Sequence, residues 1–512
     1  MTMSRVLLAY LLVVAAVTLP ILANPYLPLV DLPNHIARHF IAANPQSALS
    51  QYFDYSLDLT PNSAVDLLWS ITGHPFGAVA FSHFVFITYA VNLVGSAMVL
   101  ARVVHGKWSI WPLASGLLVY NATFFWGFQN FIFTVPFAIY GLALWLSLEA
   151  RSNWLRIAVF IPLSLLLFWM HLFAFVLLAV AALGRELQRV FEAGKAWPKA
   201  LLGNISLGIP FLIPAALLAY VIITAPPNPA ATASDFGSFV DRYYALISPL
   251  GTASGNGATG LTAIGALVFG VLLLTFYFGV RRDSPHLHFA RQMKGPLVAV
   301  LLLSVFIPSS INGVALVQIR FPFVLMILLI AATRWQHVHQ GAARAITIAI
   351  SVALILRGGE FYLNAADYSR DIITLERVLE KVPAGSRILP IRSAGNERDT
   401  RLWHAQAYAV PMAESFVPTL FQGVHSLRLK PEWSTAAHPA GMSIDRRRVL
   451  DPSGGVIRSA TANSAAFWAD WPDKFTHLLL MDPPAEAWPA NPTLRKIDQQ
   501  GRFTLFEVQP DD

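Results

Sequence analysis

From Val6 to Val30 the chain carries no charged residue, and runs of that kind recur at 67–101, 108–148, 157–184, 200–234, 243–280, 295–319, 321–333 and 345–356. About 20 helical residues span the roughly 30 Å hydrocarbon core of a bilayer, so most of these runs are long enough for a crossing. A soluble chain has no interior that hides so many of them at once. The sequence therefore reads as a polytopic membrane protein, in line with 55% apolar and 13% charged residues and a mean hydropathy of +0.54. Charge is concentrated after Arg357. The expected fold class is an all-α polytopic membrane domain over 1–362 with a small C-terminal soluble α/β domain over 363–512.

Two runs decide how many helices there are. The 108–148 run is long enough for two crossings, with Trp126-Gly127-Phe128-Gln129-Asn130 as the turn between them. The 157–184 run is long for one helix and short for two. Arg151 and Arg156 precede it, and Arg185, Arg189, Lys195 and Lys199 follow, so basic residues on both flanks favour a hairpin with His171 at its tip. That reading gives about eleven transmembrane helices. It puts the basic residues from Arg5 and Arg102 to Arg334 and Arg344 on one side and leaves little beyond Arg38, Arg242 and Arg320 on the other. The positive-inside rule then predicts a cytoplasmic N-terminus and a periplasmic C-terminal domain, in a bacterial inner membrane. One tilted helix at 157–184 would reverse every later sidedness.

Arg5 before an apolar run and Leu22-Ala23-Asn24 after it imitate a cleavable signal peptide, but the many later spans favour an uncleaved anchor. A net charge of +7 is accounted for by topology, so no nucleic-acid partner is expected. The absence of cysteine excludes disulfides, thiol catalysis and thiolate metal sites.

Two loops on the Arg38 side are long. Residues 25–66 are divided by Pro25, Pro28, Pro33, Pro45 and Pro61 and read as interfacial helices. Residues 225–260 are rich in Pro, Gly, Ala and Ser and read as a mobile flap around Asp235, Asp241 and Arg242. In the tail, Asp371 to Lys381 reads as a helix and Ser386 to Ile391, His477 to Met481 and Phe503 to Val508 as strands. Arg446-Arg447-Arg448 reads as a solvated loop, and nothing in Trp403, His404 or Glu414 singles out a site.

Chemistry gathers just after the first span, in Asp31-Leu32-Pro33-Asn34-His35 with Arg38 one turn on. Asp31 precedes a helix start, so one reading makes it an N-cap, with Pro33 in the first turn. In the other reading, Asp31, His35 and Arg38 at i, i+4 and i+7 share a helix face, and an imidazole and a guanidinium hold the carboxylate ionised as a general base. His35 and His39 have the H-x-x-x-H spacing of a zinc site, but the glutamate a metalloprotease needs is missing between them.

Arg320 is the second informative residue. Thirteen residues separate it from Arg334, which sets it roughly 20 Å from the inner boundary of the hydrocarbon. A cation at that depth either snorkels to the nearer interface or meets an anionic group, and a guanidinium matches a lipid phosphate in a two-pronged fork. Gln129, Asn130 and His171 are expected on the same face, each being also an ordinary polar cap between helices. Asp54, Asp58 and Asp66 offer carboxylates for a divalent metal, although spacing four apart equally suits a solvated face. No cofactor is required by these residues, and a divalent metal stays open.

The many helices, the cytoplasmic N-terminus, the long first outer loop opening on an acid and the soluble outer tail resemble the GT-C superfamily of membrane glycosyltransferases. That group includes protein O-mannosyltransferases and bacterial aminoarabinose and galacturonic-acid transferases. The resemblance covers residues 1–362 and implies that Asp31 is the catalytic base. It implies a polyprenyl-phosphate-linked sugar as donor, a glycan, lipid or protein hydroxyl as acceptor, and membrane lipid as surroundings. Arg320, His35 and Arg38, with His171, Asn130 and Gln129, would then face the donor phosphate. Asp31 is followed by Leu32 and Pro33, where some members carry an adjacent acidic pair, so their metal dependence does not carry over. The competing class is a non-catalytic carrier or envelope scaffold for lipid-linked glycans. A carrier of that kind often shows two similar halves, and no such repeat is visible.

Overall fold

The computed structural model describes residues 2–57, 60–72, 74–224, 234–251, 262–280, 286–311, 314–392, 399–421, 426–438, 444–445, 449, 466–481 and 491–509. Asp58, Arg446 to Arg448 and much of the 225–260 loop lie outside them.

The chain opens with α1 (Met3–Leu22), then α2 (Leu32–Ala43), the short strand β1 (Phe53–Tyr55), α3 (Ala64–Thr72) and the long α4 (Ala78–His105). The 108–148 run departs from expectation in its first half. Trp111–Leu118 is a 3-10 segment, followed by the single turn α5 (Ala122–Phe125), and only α6 (Gln129–Ser147) is a full helix. Pro112 starts the 3-10 segment, and Asn121 stops the chain again by accepting hydrogen bonds from Thr123 N and Phe124 N. Irregular backbone of this kind survives among membrane helices only when protein surrounds it, and residues 111–125 are buried throughout.

The 157–184 run is two helices. α7 (Asn153–Met170) and α8 (Leu172–Glu192) reverse at His171, whose extended φ of −165° breaks the helical path. Arg156 of α7 and Glu186 of α8, near the far ends of the pair, meet at 2.7 Å in a buried ion pair that clamps the hairpin, and Arg185 meets Glu149, just before α7, at 2.6 Å. α9 (Trp197–Asn204), α10 (Ile209–Thr224), α11 (Phe239–Ile247) and α12 (Ala263–Val280) follow. Strand β2 (Leu287–Phe289) then leads into α13 (Lys294–Phe306), which crosses α8 where Gly184 and Gly295 touch backbone to backbone. A Cβ on either would collide with the other's carbonyl, which is how small residues let membrane helices approach.

α14 (Pro322–Ala332) ends in β3 (Thr333–Trp335), which pairs antiparallel with β2. The last helix, α15, runs unbroken from Gln340 to Leu379. The expected boundary at 362/363 therefore falls inside one helix. Arg357, which marked the end of the apolar run, is buried and donates to the carbonyls of Tyr120 (2.5 Å) and Leu250 (3.2 Å), and it pairs with Glu360 at 3.0 Å. Its charge is satisfied inside the bundle, so it ends nothing.

Among the described residues, six helical stretches are long and apolar enough to cross a membrane: Met3–Leu22, Ala78–His105, Gln129–Ser147, Asn153–Met170, Gly194–Tyr220 and Gln340–Leu379. α12, α13 and α14 correspond to the remaining apolar runs after residue 243 but are shorter or less fully described.

The tail is α/β. Strand β4 (Ile388–Arg392) lies parallel to β6 (Ile444–Asp445) and β7 (His477–Met481), and antiparallel β9 (Phe503–Val508) and β8 (Leu494–Gln500) complete a five-stranded sheet in the order β6-β4-β7-β9-β8. β5 (Leu427–Leu429) leaves that sheet and pairs antiparallel with β1 of the first loop. Tyr52 donates to the Gly385 carbonyl at 2.5 Å, and Trp433 Nε1 donates to that of Gln51 at 3.1 Å. The first loop and the tail are thus one interlocked layer, and α2 lies buried beneath it.

Candidate functional site

Asp31 occupies the N-cap position of α2, with Pro33 in the first turn, yet its carboxylate makes no capping hydrogen bond. Its backbone N–H donates to the Trp126 carbonyl at 3.1 Å and that of Val30 to Phe125 at 3.0 Å, which fastens the start of α2 to the turn before α6. Gly127, at φ +75°, makes that contact possible, since a Cβ there would lie 3.1 Å from the amide nitrogens of Asp31 and Leu32.

The same turn meets Arg320. The Arg320 guanidinium carbon lies 4.1 Å from the centre of the Phe128 ring, 5.2 Å from Phe173 and 5.4 Å from Phe131, an aromatic cage about a buried cation. One of its nitrogens reaches the Ala315 carbonyl only at 3.5 Å, and among the described residues its Nε has no partner. At the start of α6, Gln129 is fully buried, and among the described residues both its side-chain amide atoms are unpartnered. Buried polar groups are ordinarily hydrogen-bonded, so these two residues carry unspent donors into one region.

The tail closes the site. His404 Nε2 stands 3.7 Å from the Asp31 carboxylate, and the His404 ring packs on Phe421 at 5.1 Å. Phe421 also packs on His35, and its N–H donates to Asn34 Oδ1 at 3.2 Å. Trp403 meets Trp126 edge to face at 5.7 Å, and Trp126 Nε1 donates to the Tyr244 hydroxyl of α11 at 2.9 Å. Nothing in the sequence marked His404, Trp403, Phe421 or Tyr244. They are isolated residues with no spacing pattern, brought to Asp31 only by the docking of the tail and of α11.

Electrostatics separates the groups. Burial pushes the Asp31 carboxyl up to about 7, against the pull of the Arg320 charge. Burial, with the Arg392 charge adding to it, pushes His404 down to about 3, so its ring is neutral at neutral pH.

The other expected residues are placed differently. Arg38 is spent on Asp66 of α3, donating through Nε at 2.8 Å and Nη2 at 3.0 Å, and it touches His35 Nδ1 at 3.1 Å. His39 joins the same carboxylate at 3.2 Å. Burial opposes the charge on Asp66, yet Arg38 and His39 hold it well below the usual carboxylate range. Arg38 therefore faces an internal carboxylate where a donor phosphate had been expected, and Asp66 is committed to the ion pair. Asp54 is exposed on β1, near Lys430 at 3.9 Å. Among the described residues no three His, Cys, Asp or Glu gather as a metal site.

Asn130 accepts the Val65 N–H at 2.8 Å, and His171 Nδ1 accepts that of Phe173 at 3.1 Å while its ring packs on Phe131 at 5.2 Å. Both serve as polar caps at the edge of the Arg320 cage. In the second loop, Asp241 and Ser238 form a capping box for α11, Asp235 bridges Ser310, and Arg242 donates to the Ile307 carbonyl at 2.7 Å. No protein-family model and no curated protein matches the chain.

The arrangement offers a carboxylate that ionises near neutrality, a caged guanidinium acting on it through space, an amide with unspent donors, and an aromatic and imidazole cover. It can take a proton from one group and stabilise negative charge on another.

Proposed function

We propose that the protein is a GT-C-like glycosyltransferase that moves a sugar from a polyprenyl-phosphate carrier to a hydroxyl acceptor, at the outer face of a bacterial inner membrane with the tail in the periplasm. The observation that carries this reading is the Asp31 carboxylate, which sits at a helix start without capping it, close enough to the caged Arg320 for its charge to be felt.

In the proposed reaction Asp31 takes the acceptor's hydroxyl proton as the acceptor oxygen bonds to the anomeric carbon. The bond from that carbon to the carrier phosphate breaks on the opposite face, and its electron pair leaves on the phosphate oxygen. Inversion follows from the single displacement, through a transition state with oxocarbenium character. Arg320, with donors to spare, neutralises the departing phosphate, and the Gln129 amide supplies a further N–H. His404, neutral and beyond hydrogen-bond distance of Asp31, shields the carboxylate from water.

The test is a panel of polyprenyl-phosphate-linked sugars offered to purified protein in proteoliposomes, with free polyprenyl phosphate as the readout. Wild type is expected to release it from at least one donor in the presence of acceptor, and Arg320→Gln to lose most of that release. Release from no donor, or equal release by Arg320→Gln, would remove the assignment.

A further inference from the structure

At the end of the bundle opposite Asp31 lies a cavity of about 420 Å³ between α1, the 3-10 segment and the first turns of α15. That size is within the range of small-molecule sites, about 300–1,000 Å³. Its walls are mostly apolar, with Leu12, Leu113, Ile346 and Ile350 among them; Ser109, Thr347 and Ser351 add hydroxyls, and Arg334 and Trp335 of β3 form a polar rim. The opposite end is fixed by Trp111, whose indole donates to Thr333 at 2.9 Å just past the end of α14, whereas Arg320 and the Asp31 region lie at that helix's start.

The rim is built to donate. Among the described residues, Arg334 Nε and Trp335 Nε1 are both buried without an acceptor, and no carboxylate pairs with Arg334. His288 stands opposite Arg334 in the β2–β3 ladder, so the neighbouring group is no acid either. Arg344, next in sequence to the lining residue Ala343, and Lys107, two residues before the lining residue Ser109, are exposed cations. An apolar chamber between membrane helices with unspent cationic and indole donors at its mouth has the two halves of an amphiphile-binding site: room for a chain and a place for an anion.

We infer that this cavity holds one anionic phospholipid, its headgroup phosphate on Arg334 and Trp335 and an acyl chain between α1 and α15. A zwitterionic lipid fits less well, because its cationic headgroup would meet Lys107 and Arg344. The inference is independent of the transfer reaction.

Delipidated full-length protein, titrated with phosphatidylglycerol and observed by native mass spectrometry, should retain one tightly held lipid. Retention should weaken about tenfold or more in Arg334→Gln, which removes a charge-assisted hydrogen bond, and in Ile350→Trp, which fills the chamber. Phosphatidylcholine should bind more weakly, and inorganic phosphate should not displace the lipid. Equal retention by both variants, no preference over phosphatidylcholine, or displacement by inorganic phosphate would overturn the proposal. Should those variants not fold, phosphatidylglycerol with brominated chains is expected to quench tryptophan fluorescence in wild type and measurably less in Trp335→Phe. Identical quenching in the two proteins would overturn it as well.

Discussion

Asp31 and Asp66 come from the same loop, and both are shielded from solvent, with side chains 17% and 3% exposed. Asp66 is gripped by the fork of Arg38 at 2.8 and 3.0 Å and by His39 at 3.2 Å. Asp31 makes no capping hydrogen bond, and beside it stands a neutral imidazole at 3.7 Å. One carboxylate is held well below its usual range, and the other is pushed up to about 7. The difference shows that burial alone does not decide what a carboxylate is for. A fully paired one anchors structure, and one left without hydrogen bonds is free to exchange a proton.

Removing each carboxylate in turn is the severest trial of this contrast. Asp31→Asn should lower transfer by about 10²- to 10⁴-fold, the usual worth of a general base, with membrane abundance and melting temperature preserved. Asp66→Ala should do the reverse, leaving Arg38 buried without its partner at a cost of about 3–5 kcal/mol, read as a lower melting temperature and yield. A transfer defect in Asp66→Ala beyond the loss of folded protein would erase the distinction.

Acid should separate the same two residues. In the proposed transfer Asp31 acts as a base and must be ionised, so kcat/KM should fall about tenfold per pH unit below about 7. The Asp66 carboxyl is depressed in the folded protein, so its stabilising contribution is fully present above the unfolded value of about 4 and is lost only as pH falls further. Around pH 5 the protein should therefore stay folded while transfer has dropped steeply, as circular dichroism and initial rates would show together. The smallest effect is expected of His404→Phe, less than about tenfold in rate, because the ring covers Asp31 without bonding it. A larger loss that imidazole in solution restores would make His404 a proton carrier and sharpen the account differently.

The α7–α8 hairpin was legible because basic residues flank both of its ends, and β7 and β9 were legible from their apolar patterning. The position of Asp31 at a helix start and the burial of Arg320 were also readable locally. Arg357 misled, because a buried charge satisfied by the Tyr120 and Leu250 carbonyls looks in sequence like the end of a span. The 3-10 path of Trp111–Leu118 depends on packing all around it, which composition does not encode. Arg38 looked available until α3 delivered Asp66, and His404 and Trp403 acquire meaning only when β5 pairs with β1 and the tail settles over α2.

The most direct measurement is an infrared titration of the protonated carboxyl band, recorded for wild type and for Asp31→Asn and subtracted. One carboxyl in the difference spectrum is expected to ionise with a midpoint of about 7. A difference spectrum with no carboxyl still protonated above about pH 5 would place Asp31 with ordinary acids and contradict its role as the base.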